Sequence, residues 1–322
     1  MSMSTVASAP GKAILCGEHA VVYGAPAIAL PLSGIRAYAK IRKCDHPLTI
    51  IAEDLPRPPL VYRAGEMDMS DPLALTAELA IDYLGAGSIS GEIRLKSDIP
   101  IASGLGSGAA ISTALCRAIA LLRASEIPAG DLSKLVYEVE KLHHGSPSGI
   151  DNTVVVCEAP VFFIKDQRME LINIAEPLQL VLADTGIAAL TRDAVAAVRR
   201  RRQSAPAATA AIFAEIGAIS KEAKDCLEQG ATKRLGALMI ANHRLLQALD
   251  VSSPELDRLV EAGLHGGAYG AKLSGGGRGG NIIALADAHS VDAVREKLLE
   301  AGAKRVMVTI AGEGRRDDDD SD

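Results

Sequence analysis

Tryptophan is absent from this sequence, and phenylalanine occurs only three times in 322 residues. With no basic stripe interleaved with aromatics, the chain lacks the stacking platform that single-stranded nucleic acid needs, so nucleic acid is excluded as a partner. No apolar run approaches the roughly 20 residues that cross a bilayer, and residues 1–9 have no basic start followed by a long apolar stretch. A cytoplasmic protein with no membrane partner is expected. Cysteine is sparse and unpatterned: Cys16, Cys44, Cys116, Cys157 and Cys226 are scattered, with no Cys-x-x-Cys pair and no histidine at metal-ligand spacing. They read as small hydrophobes in a reducing compartment rather than as disulfides or zinc ligands. A Walker-type run is missing too, because Gly11-Lys12 is followed by Ala13. That excludes a P-loop nucleotidase.

What remains is an ordinary globular composition in a chain longer than one core usually organises, so two domains are expected. The formal net charge is −6, but residues 315–322, with two Arg and five Asp, contribute −3 of it, and the body is only mildly acidic. Small-molecule chemistry is the default that survives. Residues 5–43 read as apolar and β-branched strand material broken by turns at Gly11, Gly17 and Gly24, and Pro56-Arg57-Pro58-Pro59 marks a loop. Asp71-Pro72 starts a helix, and residues 92–96 alternate like a strand with one wet face. A glycine-rich turn over 104–108 leads into a buried helix over 109–123, followed by an amphipathic helix over 131–143 with Leu132, Leu135, Val136, Val139 and Leu142 on one face. Strands are expected at 153–156, 161–164 and 178–183. Helices at 191–202, 207–229, 232–249 and 254–262 then alternate with strands at 271–274, 281–285 and 305–309. Pro177 is the expected domain boundary, and residues 313–322, which have no apolar anchor, should be disordered.

Closely spaced glycines precede the long helix in Gly104-Leu105-Gly106-Ser107-Gly108-Ala109, so backbone N–H groups and the helix dipole can converge on a phosphate. A tight turn that holds nothing would look the same. Gly104-x-Gly106-x-x-Ala109 also satisfies a relaxed dinucleotide fingerprint, which makes a nicotinamide-dependent dehydrogenase a rival. The sequence downstream argues against it, since residues 125–131 lead into a second amphipathic helix rather than a strand ending in an acidic residue.

Two further stretches carry polar groups that need a use. Pro10-Gly11-Lys12 through Gly17-Glu18-His19 places a lysine, a glutamate and a histidine within strand-like sequence. Glu140 and Asp151 stand eleven residues apart around a rigid Pro147-Ser148-Gly149 turn, with Glu140 near the end of its helix, where the dipole disfavours an unpaired negative charge. A nearby cation would relieve it. Phosphoryl transfer supplies a reason for the whole set, because it needs positioning, a metal on phosphate oxygens, positive charge and a base for the attacking hydroxyl.

Taken in order, Pro-Gly-Lys-x-x-Leu-x-Gly-Glu-His, Gly-Leu-Gly-Ser and the loop Lys272-Leu273-Ser274-Gly275-Gly276-Gly277-Arg278-Gly279-Gly280 resemble the three motifs of the GHMP small-molecule kinases. His144-Gly-x-Pro-Ser-Gly-x-Asp151-Asn152 is similar to the mevalonate kinase branch, and the resemblance runs to about Gly312. It implies an α+β GHMP kinase fold: a ribosomal-protein-S5-domain-2-like ATP-binding domain over 1–176, a ferredoxin-like domain over 177–312, and the acidic tail. It implies ATP and Mg²⁺, and mevalonate as the acceptor, and leaves a homodimer open. By the same resemblance Asp151 is the general base, with Lys12 beside it lowering the hydroxyl's pKa and neutralising developing charge. Glu140 and Ser107 hold Mg²⁺ and phosphate oxygens. Gly104, Leu105, Gly106, Ser107, Gly108 and Ala109 embrace the β- and γ-phosphates. Glu18, His19 and Thr191 line the acceptor pocket, and Gly275, Gly276 and Gly277 close over it.

The match departs from the family in two places. Gly108 stands where many relatives carry a second serine on the metal side, and Ser274, Gly276, Arg278 and Asn281 replace a more usual Thr-Gly-Ala-Gly and Cys pattern. Arg278 could add charge near the phosphates or lie exposed in its loop, and Arg199 to Arg202 read as a solvated helix end. Among sister activities, a galactokinase would follow Gly-Glu-His with Thr-Asp-Tyr, where this chain has Ala20-Val21-Val22. Homoserine kinases and mevalonate diphosphate decarboxylases generally lack the matched lysine and aspartate. A phosphomevalonate kinase and a catalytically silent sensor are the other readings.

Overall fold

The structure is a computed structural model that describes residues 5–85, 87, 89–100, 104–144, 147–165, 167–188 and 191–312, without the side chains of residues 143, 144, 191 and 192. The acidic tail, expected to be disordered, lies outside the described residues. Two compact units divide the chain: Met1–Gly11, Ile35–Ile101 and Gly106–Glu158 form one, and Lys12–Gly34, Ala102–Leu105 and Ala159–Asp322 form the other. Strands β1 (Val6–Cys16) and β2 (Ala27–Pro47) pair with each other and contribute residues to both.

In the first unit β2 is followed by β3 (Thr49–Ala52), β4 (Leu60–Val61), α1 (Pro72–Tyr83) and β5 (Ser90–Ser97). β5 lies between β2, to which it runs antiparallel, and β3, to which it runs parallel. Its alternation is real: Ile93 and Leu95 are buried while Arg94 and Lys96 face water. α1 starts at the expected place, because the Asp71 carboxylate accepts the Leu73 N–H at 2.9 Å and Pro72 fills a first-turn position that needs no donor. Arg57 pairs with Asp71 from the loop before it.

Three helices, α2 (Ser107–Leu122), α3 (Ala129–His144) and α4 (Ile150–Cys157), pack on one another in this unit. α2 is buried as expected, with Ala109, Ala110, Ala114, Leu115, Ala118 and Ile119 sealed from water. α4 corrects the sequence reading, which placed a strand at 153–156. Thr-Val-Val-Val has the β-branched content of a buried strand, but a short helix buried on nearly every side has the same composition, and packing overrides propensity. Gly149, at φ 85°, opens this helix, and Thr153 Oγ1 bonds back to the Gly149 carbonyl at 2.8 Å. α3 holds a second correction. Leu132, Val136 and Val139 are buried, but Leu142 is 43% exposed while Glu140 is only 3% exposed. These two stand on nearly opposite sides of the helix. The helix turns a leucine out and a carboxylate in.

The second unit adds β6 (Val161–Phe163), antiparallel on the start of β2, and β7 (Glu170–Leu171) on β6. Then follow β8 (Leu178–Asp184), four helices α5 (Thr191–Ser204), α6 (Pro206–Gln229), α7 (Thr232–Ala248) and α8 (Pro254–His265), the hairpin β9 (Gly270–Ser274) and β10 (Asn281–Ala286), α9 (Val291–Glu300) and β11 (Arg305–Ala311). The last four strands form an antiparallel sheet in the order β11-β8-β10-β9. This is the β-α-β-β-α-β succession of a ferredoxin-like layer, with a bundle of helices as its first crossover. Val181, Ile216, Leu246, Leu256, Leu259, Ile282 and Leu298 are among the residues of its core. The expected α+β class and ferredoxin-like layer are found; the short strands β3, β4 and β7 and the helix α9 were not anticipated from the sequence.

Candidate active site

Lys12 lies on β1 with 6% of its surface exposed, and its backbone N–H donates to the Leu105 carbonyl at 2.9 Å. That bond fastens the lysine strand to the glycine-rich turn. Gly104 (φ 78°) and Gly106 (φ 74°) are both left-handed, a conformation glycine adopts at no steric cost, and the second delivers the chain into α2. Among the described residues no side chain caps this 16-residue helix. Its first amides, on Ser107, Gly108 and Ala109, therefore combine donor groups with the positive end of the dipole, a natural seat for phosphate.

β1 ends in a tight corner. At Gly17, φ is 103°, and a Cβ there would sit 2.4 Å from the Ala27 Cα. His19 follows at φ 60°, ψ −47°, a sparsely populated conformation that costs a residue with a side chain about 1–3 kcal/mol. Glu18, between them, is buried. Lys272, fully buried on β9, donates to Glu18 Oε1 and at 2.5 Å to the Leu273 carbonyl, and Asn242 Nδ2 on α7 donates to Glu18 Oε2 at 3.2 Å. Both carboxylate oxygens are engaged. Behind this pair, the Leu273 N–H donates to His243 Nδ1 at 3.3 Å, and His243 Nε2–H reaches Asp257 Oδ1 at 3.1 Å. Lys272, Asn242, His243 and Asp257 were not singled out from the sequence. The available signal was a lysine inside Gly-Ala-Lys-Leu-Ser, a strand with no wet face, where a charge must find a partner.

His19 Nε2 is 2.9 Å from the Gly276 carbonyl. A carbonyl only accepts, so Nε2 carries the hydrogen and Nδ1 keeps a lone pair for another donor. Burial lowers the pKa of this imidazole to about 4, so it is neutral near pH 7. Gly276 belongs to the loop joining β9 and β10, in which Gly275, Gly277, Arg278, Gly279 and Gly280 all have positive φ. At Gly277 a Cβ would fall 2.0 Å from the Val251 carbonyl oxygen. Ser274 Oγ donates to the Ile14 carbonyl at 3.1 Å, and the Thr185 N–H and Oγ1 both donate to the Gly280 carbonyl at 2.9 Å. Arg278 turns to Asp250, donating to its carbonyl and carboxylate. The structure thus brings the three glycine-bordered motifs together: Lys12 to Leu105 joins the first to the second, and Glu18, His19 and Ile14 join the first to the third.

In the first unit Ser107, Glu140 and Asp151 stand on the mutually packed helices α2, α3 and α4. Asp151 occupies the first turn of α4, where the dipole favours a carboxylate. Asn152 Nδ2 donates to the Ser133 carbonyl and hydroxyl at 3.0 and 2.8 Å, and Tyr137 OH donates to the Pro147 carbonyl at 3.3 Å. These bonds pin the Pro-Ser-Gly bend and the start of α4 to α3. Thr191 opens α5, but its side chain lies outside the described residues. Among the described residues no three His, Cys, Asp or Glu side chains cluster as a metal cage.

The two buried histidines set a pH dependence. Burial lowers His243 to about 4 as well, whereas an unfolded imidazole titrates near 6.5. Acid therefore protonates the unfolded chain first, and stability present above about pH 6.5 is lost as pH falls towards 4, by up to about 3 kcal/mol per histidine. Urea unfolding followed from about pH 7.5 to pH 5 should show a falling midpoint, with a shallower fall in His243→Gln; a midpoint that does not move would contradict the buried neutral histidines.

Comparison with known proteins adds the family. Residues 73–158 match the GHMP kinases N terminal domain and residues 223–304 the GHMP kinases C terminal domain. Mevalonate kinase of Pyrococcus furiosus is 33% identical over 97% of this chain and 98% of its own length. Of solved structures, L. major mevalonate kinase in complex with R-mevalonate aligns with a TM-score of 0.81 at 29% identity, covering 97% of this chain and 96% of that one. The Methanococcus jannaschii mevalonate kinase aligns with a TM-score of 0.85 at 25% identity, over 97% and 99%. With both halves of the family pattern in place, its three glycine-bordered motifs bonded together and relatives matched from end to end, the chain belongs to the GHMP kinases, in the mevalonate kinase family.

Proposed function

We propose that the chain transfers the γ-phosphoryl group of ATP to the primary hydroxyl of (R)-mevalonate, forming 5-phosphomevalonate. As a GHMP kinase it uses ATP and an alcohol acceptor. The observation that carries the reading is the convergence of the three motifs: the Lys12 N–H on the Leu105 carbonyl of the glycine-rich turn, and Ile14, Glu18 and His19 bonded to β9 and the glycine loop after it. The acceptor's identity is supported by relatives named mevalonate kinase across nearly the whole chain, one of them in complex with R-mevalonate.

The residues divide the work by their chemistry. Residues Gly104 to Ala109 hold the β- and γ-phosphates on backbone N–H groups, and Gly275, Gly276 and Gly277 close over the acceptor. Lys12 supplies positive charge where charge develops in the transition state, and Asp151 takes the proton of the attacking hydroxyl. His19 offers Nδ1 to an acceptor hydroxyl, Thr191 is the further acceptor-side residue the family resemblance implies, and Glu18 acts by holding the corner on which His19 stands. Mg²⁺ fits the donor set: one buried carboxylate, Glu140, and one hydroxyl, Ser107, suit an ion that prefers one or two protein ligands plus substrate phosphates and water to an all-protein cage. When bound, it would supply positive charge that offsets the negative charge of the phosphates. Gly108 leaves that role to the Ser107 hydroxyl. As family domains the chain divides into 1 to 176 and 177 to 312, with one family model in each part, whereas the compact units place 12–34 and 159–176 with the second part. No helix among the described residues is long and apolar enough to cross a membrane. The protein works in the cytoplasm, and a homodimer is compatible with every assignment made.

ATP consumption by the purified chain against mevalonate, phosphomevalonate, homoserine and galactose should be substantial only with mevalonate; turnover of phosphomevalonate or a sugar instead would replace the assignment. Asp151→Asn keeps the side chain's shape and removes its basicity, so kcat should fall by at least about a hundredfold while ATP binding, followed by calorimetry, is retained. Near-normal turnover would remove Asp151 as the base.

A further inference from the structure

The corner Gly17-Glu18-His19 is held from β9, the loop after it and α7. Three side chains or carbonyls from the end of β9 and the loop after it reach the first motif: Lys272 to Glu18, Ser274 to Ile14 and Gly276 to His19. Of these, Lys272 is the unusual one. It has no exposed surface, and a lysine and a glutamate buried together lose their hydration, so apolar residues of similar volume would often serve stability as well or better. The pair must therefore be read for what it fixes. Glu18 stands between two residues with positive φ, Gly17 at 103° and His19 at 60°. A backbone bent this way relaxes unless something holds it, and the only side chain between the two bends is anchored at both oxygens, by Lys272 and by Asn242. β9 is in turn kept in register from behind, where the Leu273 N–H meets His243.

We propose that Lys272 is a positioning residue for the acceptor side of the reaction: through Glu18 it locks the bend that puts His19 Nε2–H on the Gly276 carbonyl and so presents a bare Nδ1. This rests on the reading that His19 faces the alcohol substrate. Lys272 touches neither substrate nor nucleotide in this role. Its loss should weaken acceptor binding and leave the phosphate turn, which is fastened separately through Lys12 and Leu105, unaffected.

The test uses the full chain with Lys272→Met, Glu18→Gln and the double variant. Lys272→Met alone strands a buried carboxylate and is expected to fold poorly; the double variant removes both charges, restores packing and carries the decision. Nitrogen-15 NMR of the imidazoles, with His19 identified by its loss in His19→Gln, reports the tautomer without any turnover. The double variant should unfold near the wild-type temperature yet show a His19 signal averaged between tautomers, a KM for mevalonate raised by at least about tenfold and a KM for ATP within about twofold of wild type. A wild-type His19 signal and an unchanged KM in the double variant would reduce the pair to charge compensation and overturn the proposal. Glu18→Gln should move the same readouts in the same direction, and an unaltered His19 signal there would also count against it. Should the wild-type chain fail to phosphorylate mevalonate, the acceptor assignment falls, while the imidazole spectra still decide whether Lys272 sets the bend.

Discussion

A single buried ion pair, Lys272 with Glu18, ties the ends of this chain together. The partners lie 254 residues apart in sequence, and both are sealed from water. Neither charge is tolerable there alone, so the fold is complete only when β9 of the ferredoxin-like layer meets the corner that follows β1. Beside that meeting lie the bend at His19, its bond to Gly276, and the start of the glycine loop between β9 and β10. The glycine-rich turn is tied to the same strand a few residues earlier, where the Lys12 amide reaches the Leu105 carbonyl. β1 and the corner after it thus carry the bonds that join all three glycine-bordered motifs.

The three glycine motifs serve different physical purposes. In the turn before α2, glycine provides left-handed backbone that delivers the chain into a helix whose first amides no described side chain caps. At Gly17 and Gly277 it provides room, since a Cβ would strike the backbone of Ala27 or Val251. Arg278 shows how such a loop is stiffened: its φ is positive and its guanidinium is bound to Asp250. Arg278, read from the sequence as either a charge near the phosphates or an exposed loop arginine, is half-buried and bound to Asp250.

Much of this was legible from local chemistry. The Asp71-Pro72 start of α1, the burial of α2 and the three glycine turns announce themselves because caps, small-residue runs and left-handed turns are properties of neighbouring residues. What stayed hidden depends on distant partners. Thr153 to Val156 looks like a strand until it is known that helices pack around it, and Leu142 looks buried until Glu140 is seen to take the inner face. The lysine of β9 gave a warning, a charge in a wholly buried strand, but nothing near it in sequence names Glu18. The inward Glu140 and the bent His19 both depart from what their neighbours in sequence would favour.

The central claim is that the uncapped start of α2 receives the transferred phosphate and that Asp151 receives the hydroxyl proton. A crystal structure of the chain with a non-hydrolysable ATP analogue, Mg²⁺ and mevalonate tests it most directly. The account predicts phosphate oxygens within hydrogen-bond distance of the amides of Gly106 to Ala109 and the primary hydroxyl of mevalonate on the Asp151 carboxylate. A triphosphate bound away from that turn, or a mevalonate hydroxyl that meets no carboxylate, would contradict it.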